Sequence, residues 1–248
     1  DVQQAYWIGR QSGLPLSGVA THLYVEIEVT DIAVTSLEHA WQQLIQRQEM
    51  LRAVIDDQGY QRILPHVPDY PLSCVDLRHA SADERSGWEE ETREKLGHEV
   101  HDTAKWPLFT LHAAQLDDQR LRLCISLDNL ICDGRSMVML LSEWALLARS
   151  PHHQLPALEI SFRDYVMSQP QWQQQPAWQR ALDYWLSRID TLPPAPQLPV
   201  DDMALTHVTP RFPRYQAQLA PAAWQQLRPY RSEARRAGQE CTSRGAPY

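Results

Sequence analysis

Asp128, Asp133 and Ser136 fall close together in the segment Leu127-Asp128-Asn129-Leu130-Ile131-Cys132-Asp133-Gly134-Arg135-Ser136. Two carboxylates and a hydroxyl at this spacing can accept, donate and pass protons. Asn129 stands between them, and an amide neither gives nor takes a proton at neutral pH. A purely structural role fits the same spacing. Asp133 sits where a helix N-cap belongs, with Ser136 in the first turn. Asp128 then needs a cation, because an unpaired buried carboxylate is very costly. Arg10 and Arg52 are the candidates to pair with Asp128 or Asp133, and spacing does not choose between them. Other polar clusters are weaker. His98 and His101 are spaced for one helix face, but no third metal ligand accompanies them. His152-His153 run into Gln154-Leu155-Pro156 and read as a loop after a helix.

The elements that must hold this segment are legible from periodicity. Leu108 to Leu116 and Leu121 to Ser126 form a hairpin across Asp117-Asp118-Gln119, with Leu121, Leu123 and Ile125 on one side. Asp128 to Asp133 form a loop. Gly134 to Ala148 is a helix with Met137, Leu141, Trp144, Ala145 and Ala148 on one face. The segment thus joins a buried strand to a buried helix. Upstream, Leu23 to Val29 alternates as a half-buried strand. Thr35 and Glu38 read as a capping box for a helix running to about Arg47, striped by Leu37, Ala40, Trp41, Leu44 and Ile45. Leu51 to Ile55 and Tyr60 to Leu64 are short strands around the Asp56-Asp57-Gln58-Gly59 turn. Leu72 to Leu77 is a further strand, and Ala82 to Val100 a charged surface helix. A stripe through Trp178, Leu182, Trp185, Leu186 and Ile189 marks another helix. Helical spacing assigns Trp41, Trp144, Trp178 and Trp185 to core packing. Strands mixed with helices make an α/β lobe.

Composition narrows the function class. The chain has 248 residues, 43% of them hydrophobic, and a net charge of −8. The acidic balance, with no basic cluster interleaved with aromatics, argues against nucleic acid as partner. No apolar run reaches the roughly 20 residues of a membrane span. The first residues do not read as a signal peptide. The four cysteines (Cys74, Cys124, Cys132 and Cys241) form no CxxC pair. They read as reduced thiols of a cytoplasmic protein.

Several segments, in order, resemble one family. Asp128, Asp133 and Ser136 match the DxxxxDxxS pattern of the heterocyclization domains of nonribosomal peptide synthetases. Their acyl-transferring condensation relatives carry a histidine there, in HHxxxDG, and Asn129 stands at that histidine's place. Gln4-Ala5-Tyr6-Trp7-Ile8-Gly9-Arg10 resembles the family's opening motif, QxAYxxGR. Arg47 with Met50-Leu51-Arg52 resembles RHxML, with Gln48 in place of the histidine. Leu192-Pro193, Pro196 and Leu198-Pro199 resemble the LPxxPxLP crossover, and Thr209-Pro210-Arg211-Phe212, Leu219 and Trp224 to Leu227 the next motif. Siderophore assembly lines, such as that for yersiniabactin, carry domains of this kind.

The resemblance implies a chloramphenicol-acetyltransferase-like lobe, a mixed sheet flanked by helices, forming the N-terminal half of a two-lobe V-shaped domain. It implies that a carrier-bound acyl group is joined to carrier-bound cysteine, serine or threonine, and that the amide is cyclodehydrated to a thiazoline or oxazoline. Asp128, Asp133 and Ser136 are the catalytic candidates. Tyr6, Arg10, Arg52 and Asn129 are structural or substrate-channel candidates. No cofactor or metal is expected on the chain itself, since phosphopantetheine arrives on carrier domains. The expected partners are the upstream and downstream carriers and an adenylation domain of the same assembly line. On this reading residues 1–190 form the lobe, 191–227 the crossover and start of a second lobe, and 228–248 an atypical tail suggesting a truncated or shifted reading frame. The family's second-lobe Thr and Asp would then lie beyond Tyr248, leaving the chain inactive alone, or a non-catalytic remnant or carrier-docking half-domain.

Overall fold

The computed structural model describes residues 2–11, 17–194, 212, 215 and 217–227. The chain divides into two compact units, Asp1–Arg211 and Phe212–Tyr248. The described part of the second contains a helix over 221–227. Pro196, Leu198-Pro199, Thr209 to Arg211 and the whole of 228–248 lie outside the described residues.

The first unit is built on a mixed four-stranded sheet. Its strands are β1 (His22–Thr30), β4 (Ser73–Asp76), β5 (Phe109–Gln115) and β6 (Arg120–Asp128), in the order β1-β6-β5-β4. β6 pairs antiparallel with both β1 and β5, and β4 pairs parallel with β5. A parallel pair needs a crossover connection, which α3 (Ala82–Gly97) supplies. The β5–β6 turn is held by Asp117, whose Oδ1 accepts from the backbone N–H groups of Gln119 and Arg120. A separate ribbon pairs β2 (Ala53–Ile55) with β3 (Gln61–Ile63).

Alternation along β6 decides what each face packs against. Leu121, Leu123, Ile125 and Leu127 enter the main core with α2 (Val34–Arg47) and α4 (Gly134–Arg149). Arg122, Cys124, Ser126 and Asp128 face the other way, where Arg122 meets Glu89 of α3 at 2.6 Å. Trp41 of α2 and Trp144 of α4 meet at the centre, their ring centroids 4.9 Å apart. Trp144 Nε1–H donates to the Leu37 carbonyl at 2.8 Å, so its one polar group is satisfied inside the core. The architecture is the expected α/β lobe, a mixed sheet with helices on it.

Several local readings need correction. The Thr35/Glu38 capping box does not form: α2 starts after Ala33 with no side-chain cap. Glu38 is used elsewhere, its Oε1 accepting from Leu72 N–H at 3.1 Å. Capping boxes form instead at Ser81/Glu84 and Ser161/Asp164. The second opens an unexpected helix, α5 (Phe162–Gln173), followed by α6 (Pro176–Leu186). Trp178 and Trp185 of α6 are 48% and 57% exposed and pack in no core among the described residues. An amphipathic stripe says that a face is apolar, not what covers it. His98 is the C-cap of α3, so His101 lies past the helix end and the two share no helix face. Among the described residues no helix is long and apolar enough to cross a membrane.

Candidate functional site

The site forms where β6 runs out and α4 begins, with α1 (Val2–Ile8) laid beside the connecting loop. The β1–β6 register sets His22 opposite Asp128 and fixes the strand end. Beyond it, Asn129 N–H donates to the Thr21 carbonyl at 3.0 Å, and Ile131 N–H to the Asp128 carbonyl at 3.0 Å. Gln3 of α1 donates from Nε2 to the Leu130 carbonyl at 2.7 Å, tying helix to loop. A turn at Gly9 ends α1 and delivers Arg10 to the strand end.

Asp128 is completely buried. Its Oδ1 accepts from Arg10 Nη2 at 2.5 Å and from Leu130 N–H at 2.9 Å. Arg10 is itself only 6% exposed at its side chain, so this is a buried ion pair. Such a pair restricts geometry more than it adds stability, and it is costly to break from one side. Arg52 is not part of it. Its guanidinium binds the carbonyls of Ile45, Gln46 and Leu64, stapling the end of α2 to the residues after β3.

Asp133 plays the other structural role. It is the N-cap of α4, its Oδ1 accepting from Ser136 N–H at 2.7 Å. That backbone N–H, then the Ser136 hydroxyl, holds the Asp133 carboxyl below the usual carboxylate range. Asp133 is exposed, and no arginine pairs with it among the described residues. The two aspartates therefore divide the work: one takes the arginine, the other the helix end.

A pocket of about 680 Å³ opens over this loop. Tyr6, Asn129, Cys132, Asp133 and Ser136 line it together with Met50, and α5 closes it with Phe162 and Val166. Asn129 Oδ1 is buried there without a hydrogen-bond partner among the described residues, an acceptor at the pocket wall. Burial pushes the Cys132 thiol up to about 12, so it stays protonated and weakly nucleophilic. Of the candidates read from the sequence, Tyr6, Asn129, Asp133 and Ser136 meet at the pocket. Asp128 and Arg10 lie behind it, and Arg52 lies apart.

Sequence reasoning missed one member of the cluster. His101 has Nδ1 3.9 Å from Asp128 Oδ2 and Nε2 3.2 Å from Thr110 Oγ1. Thr110 in turn donates to Glu99 Oε1 at 2.9 Å. Desolvation pulls the His101 pKa below the ordinary histidine value, opposed by Glu99 and Asp128 and reinforced by Arg10 and His22. No local spacing could have shown this, because the partners come from the post-α3 segment, β5 and β6.

Comparisons with known proteins give the family. The Condensation domain model matches residues 1–235. Pyochelin synthetase PchF of Pseudomonas aeruginosa is 38% identical over 91% of this chain and 12% of its own length. Phenyloxazoline synthase MbtB of Mycobacterium tuberculosis is 34% identical over 80% of this chain and 14% of its own. The chain thus spans about an eighth of the length of these relatives. Among solved structures, the EpoB cyclization-docking bidomain from Sorangium cellulosum superposes with a TM-score of 0.74 at 33% identity, covering 83% of this chain and 42% of that one. The lobe therefore has the chloramphenicol-acetyltransferase-like fold of those domains, and the chain belongs to the condensation-domain family of nonribosomal peptide synthetases.

Proposed function

We propose that this chain belongs to the cyclizing branch of the family and serves a siderophore assembly line. The observation that carries the proposal is the pocket wall. Asn129 occupies the place where the condensing branch has a histidine, and it lines the pocket flanked by Asp133 and Ser136. An amide cannot act as a proton carrier there. The similarity to a phenyloxazoline synthase and to a cyclization bidomain supports the same reading.

In this reading an acyl or aminoacyl thioester on an upstream carrier meets a cysteinyl, seryl or threonyl thioester on a downstream carrier. Both are presented on phosphopantetheine, and the chain binds no cofactor directly. Adenylation of the acceptor amino acid falls to another domain of the same cytoplasmic synthetase. The acceptor amine attacks the upstream thioester and expels the carrier thiol. This step depends mainly on positioning, which the walls around Tyr6, Met50 and Asn129 serve. The acceptor side chain then adds to the new amide carbonyl, and water leaves. That second step needs groups within hydrogen-bond reach of the carbonyl oxygen. Asp133 and Ser136 are the carboxylate and hydroxyl that reach the pocket, whereas Asp128 has no exposed surface and acts by holding the loop.

The test uses the complete synthetase with both carriers loaded, and mass spectrometry of the carrier-bound product. The expected product is 18 Da lighter than the open amide, the mass of one water. An open amide that never loses water would place the chain in the condensing branch and refute the proposal.

A further inference from the structure

Asp128 has two carboxylate oxygens, and the motif accounts for one. Arg10 and Leu130 N–H both bind Oδ1. Among the described residues Oδ2 is buried without a hydrogen-bond partner, and so is Nδ1 of His101, 3.9 Å away. We propose that His101 is the positioning residue for Asp128, binding through Nδ1 the oxygen that Arg10 leaves bare, while Thr110 and Glu99 fix the ring from its other nitrogen.

Hydrogen bookkeeping supports this. Carboxylate Oε1 of Glu99 only accepts, so the Thr110 hydroxyl spends its single hydrogen on Glu99. Thr110 Oγ1 must then accept from His101 Nε2, which also lies 3.4 Å from Glu99 Oε2. Nε2 is therefore the protonated nitrogen, and neutral His101 turns a bare Nδ1 towards a carboxylate oxygen. Two lone pairs facing each other in a buried site repel. A proton taken from solvent onto Nδ1 turns that repulsion into a charge-assisted hydrogen bond once the atoms close by about 1 Å.

Charge balance points the same way. The ionisable groups facing His101 are Glu99 from the segment after α3, Asp128 at the end of β6, Arg10 after α1 and His22 at the start of β1. Two carboxylates against one guanidinium leave the cluster one negative charge in excess, which a proton on His101 removes. Desolvation opposes that proton, so His101 binds it below the ordinary histidine range. Its hold on Asp128 is then strongest in mildly acidic solution and relaxes as pH rises. Because Asp128 carries Leu130 N–H, the hold reaches the loop that ends at Asp133.

The first test needs no activity. Histidine-labelled 248-residue chain is titrated by NMR, with His101 assigned through His101→Asn. Expected are an Nε2–H tautomer at high pH and an Asp128 carboxyl-carbon resonance that moves with His101 protonation. A neutral Nδ1–H tautomer, or an Asp128 resonance indifferent to His101, overturns the inference. Asp128→Asn should lower the His101 midpoint, but the measurement on the unaltered chain stands even if that variant does not fold. The second test rests on the cyclizing reading and uses the full synthetase. His101→Asn keeps an N–H near the Nδ1 position, whereas His101→Phe leaves Oδ2 unpaired. In mildly acidic solution His101→Phe should lower kcat for ring formation about tenfold or more, with KM little changed, and abolish the fall in rate that the parent shows as pH rises. His101→Asn should recover most of kcat. Equal rates and pH profiles for His101→Phe and the parent overturn the inference. A parent enzyme that forms no ring removes the functional reading, and the NMR result then decides the role of His101 alone.

Discussion

Replacing Arg10 by methionine isolates the buried ion pair. The change keeps most of the side-chain volume and removes the charge from a carboxylate that has no solvent exposure. What remains to Asp128 Oδ1 is the Leu130 N–H. Breaking one side of a buried pair costs about 3–5 kcal/mol. A second route bounds the cost, since the abandoned carboxylate can take up a proton, which from an ordinary carboxyl costs about 4 kcal/mol at pH 7. The two figures agree, so about 3–4 kcal/mol is expected at pH 7. For a chain of this size that lowers Tm by roughly 10 °C. The sign of the pH dependence follows. In the variant the native state holds a proton that the unfolded chain releases, so the destabilisation shrinks as pH falls, by about 1.4 kcal/mol per unit. Denaturant unfolding at pH 7 and pH 5.5 measures both. The double variant Arg10→Met with Asp128→Leu should recover most of the loss, because the stranded charge is gone. A single variant costing under about 1 kcal/mol, or a cost equal at both pH values, would refute the reasoning.

Further outcomes follow from the same geometry. Asp133→Ala should cost about 0.5–2 kcal/mol, the loss of a helix cap without a buried charge, and Asp133→Asn should restore most of it in thermal melts. The Asp133 carboxyl is held low by Ser136, so the contribution of the cap is present above the unfolded carboxyl value and fades as pH falls through the folded one. Asp133→Asn should flatten that acid limb, and an unchanged limb would count against the cap. Trp144→Ala should cost about 3–5 kcal/mol in denaturant unfolding, because it empties the centre of the core and removes the indole bond to the Leu37 carbonyl. Iodoacetamide at pH 8 should label exposed Cys74 well before Cys132, as site-resolved mass spectrometry would show; equal rates would contradict the buried setting of Cys132.

The strand-to-helix junction was legible because two periodicities meet there. β6 alternates and α4 repeats with the helical period, so the polar residues between them could only form a loop. Asp133 as cap followed from its position before Gly134. The choice between Arg10 and Arg52 was not legible, since either motif could supply a cation and only the fold brings Arg10 across 118 residues to Asp128. α5 escaped notice because Pro170 and a Gln-rich tract mask its period, although Ser161 and Asp164 carried the signal of its start. Trp178 and Trp185 misled because a stripe of apolar residues looks the same whether or not the chain covers it. His101 was hidden for a simpler reason: Asp128, the partner that ties it to the site, is its neighbour in space only.

The long reach of the Arg10–Asp128 pair also orders events during synthesis. Arg10 leaves the ribosome 118 residues before Asp128, and β1 follows it at His22–Thr30. At ordinary translation rates of about 5–20 residues per second, that gap lasts on the order of 6–24 seconds. Through that interval β1 has no β6 to pair with, and its backbone groups are open to wrong partners. The centre of the sheet arrives last, and the ion pair closes only when the β5–β6 hairpin slots in beside β1. Nascent chains stalled before Asp128 should therefore be protease-sensitive, and those extended past α4 resistant, so the ion pair forms in the same stroke that closes the sheet.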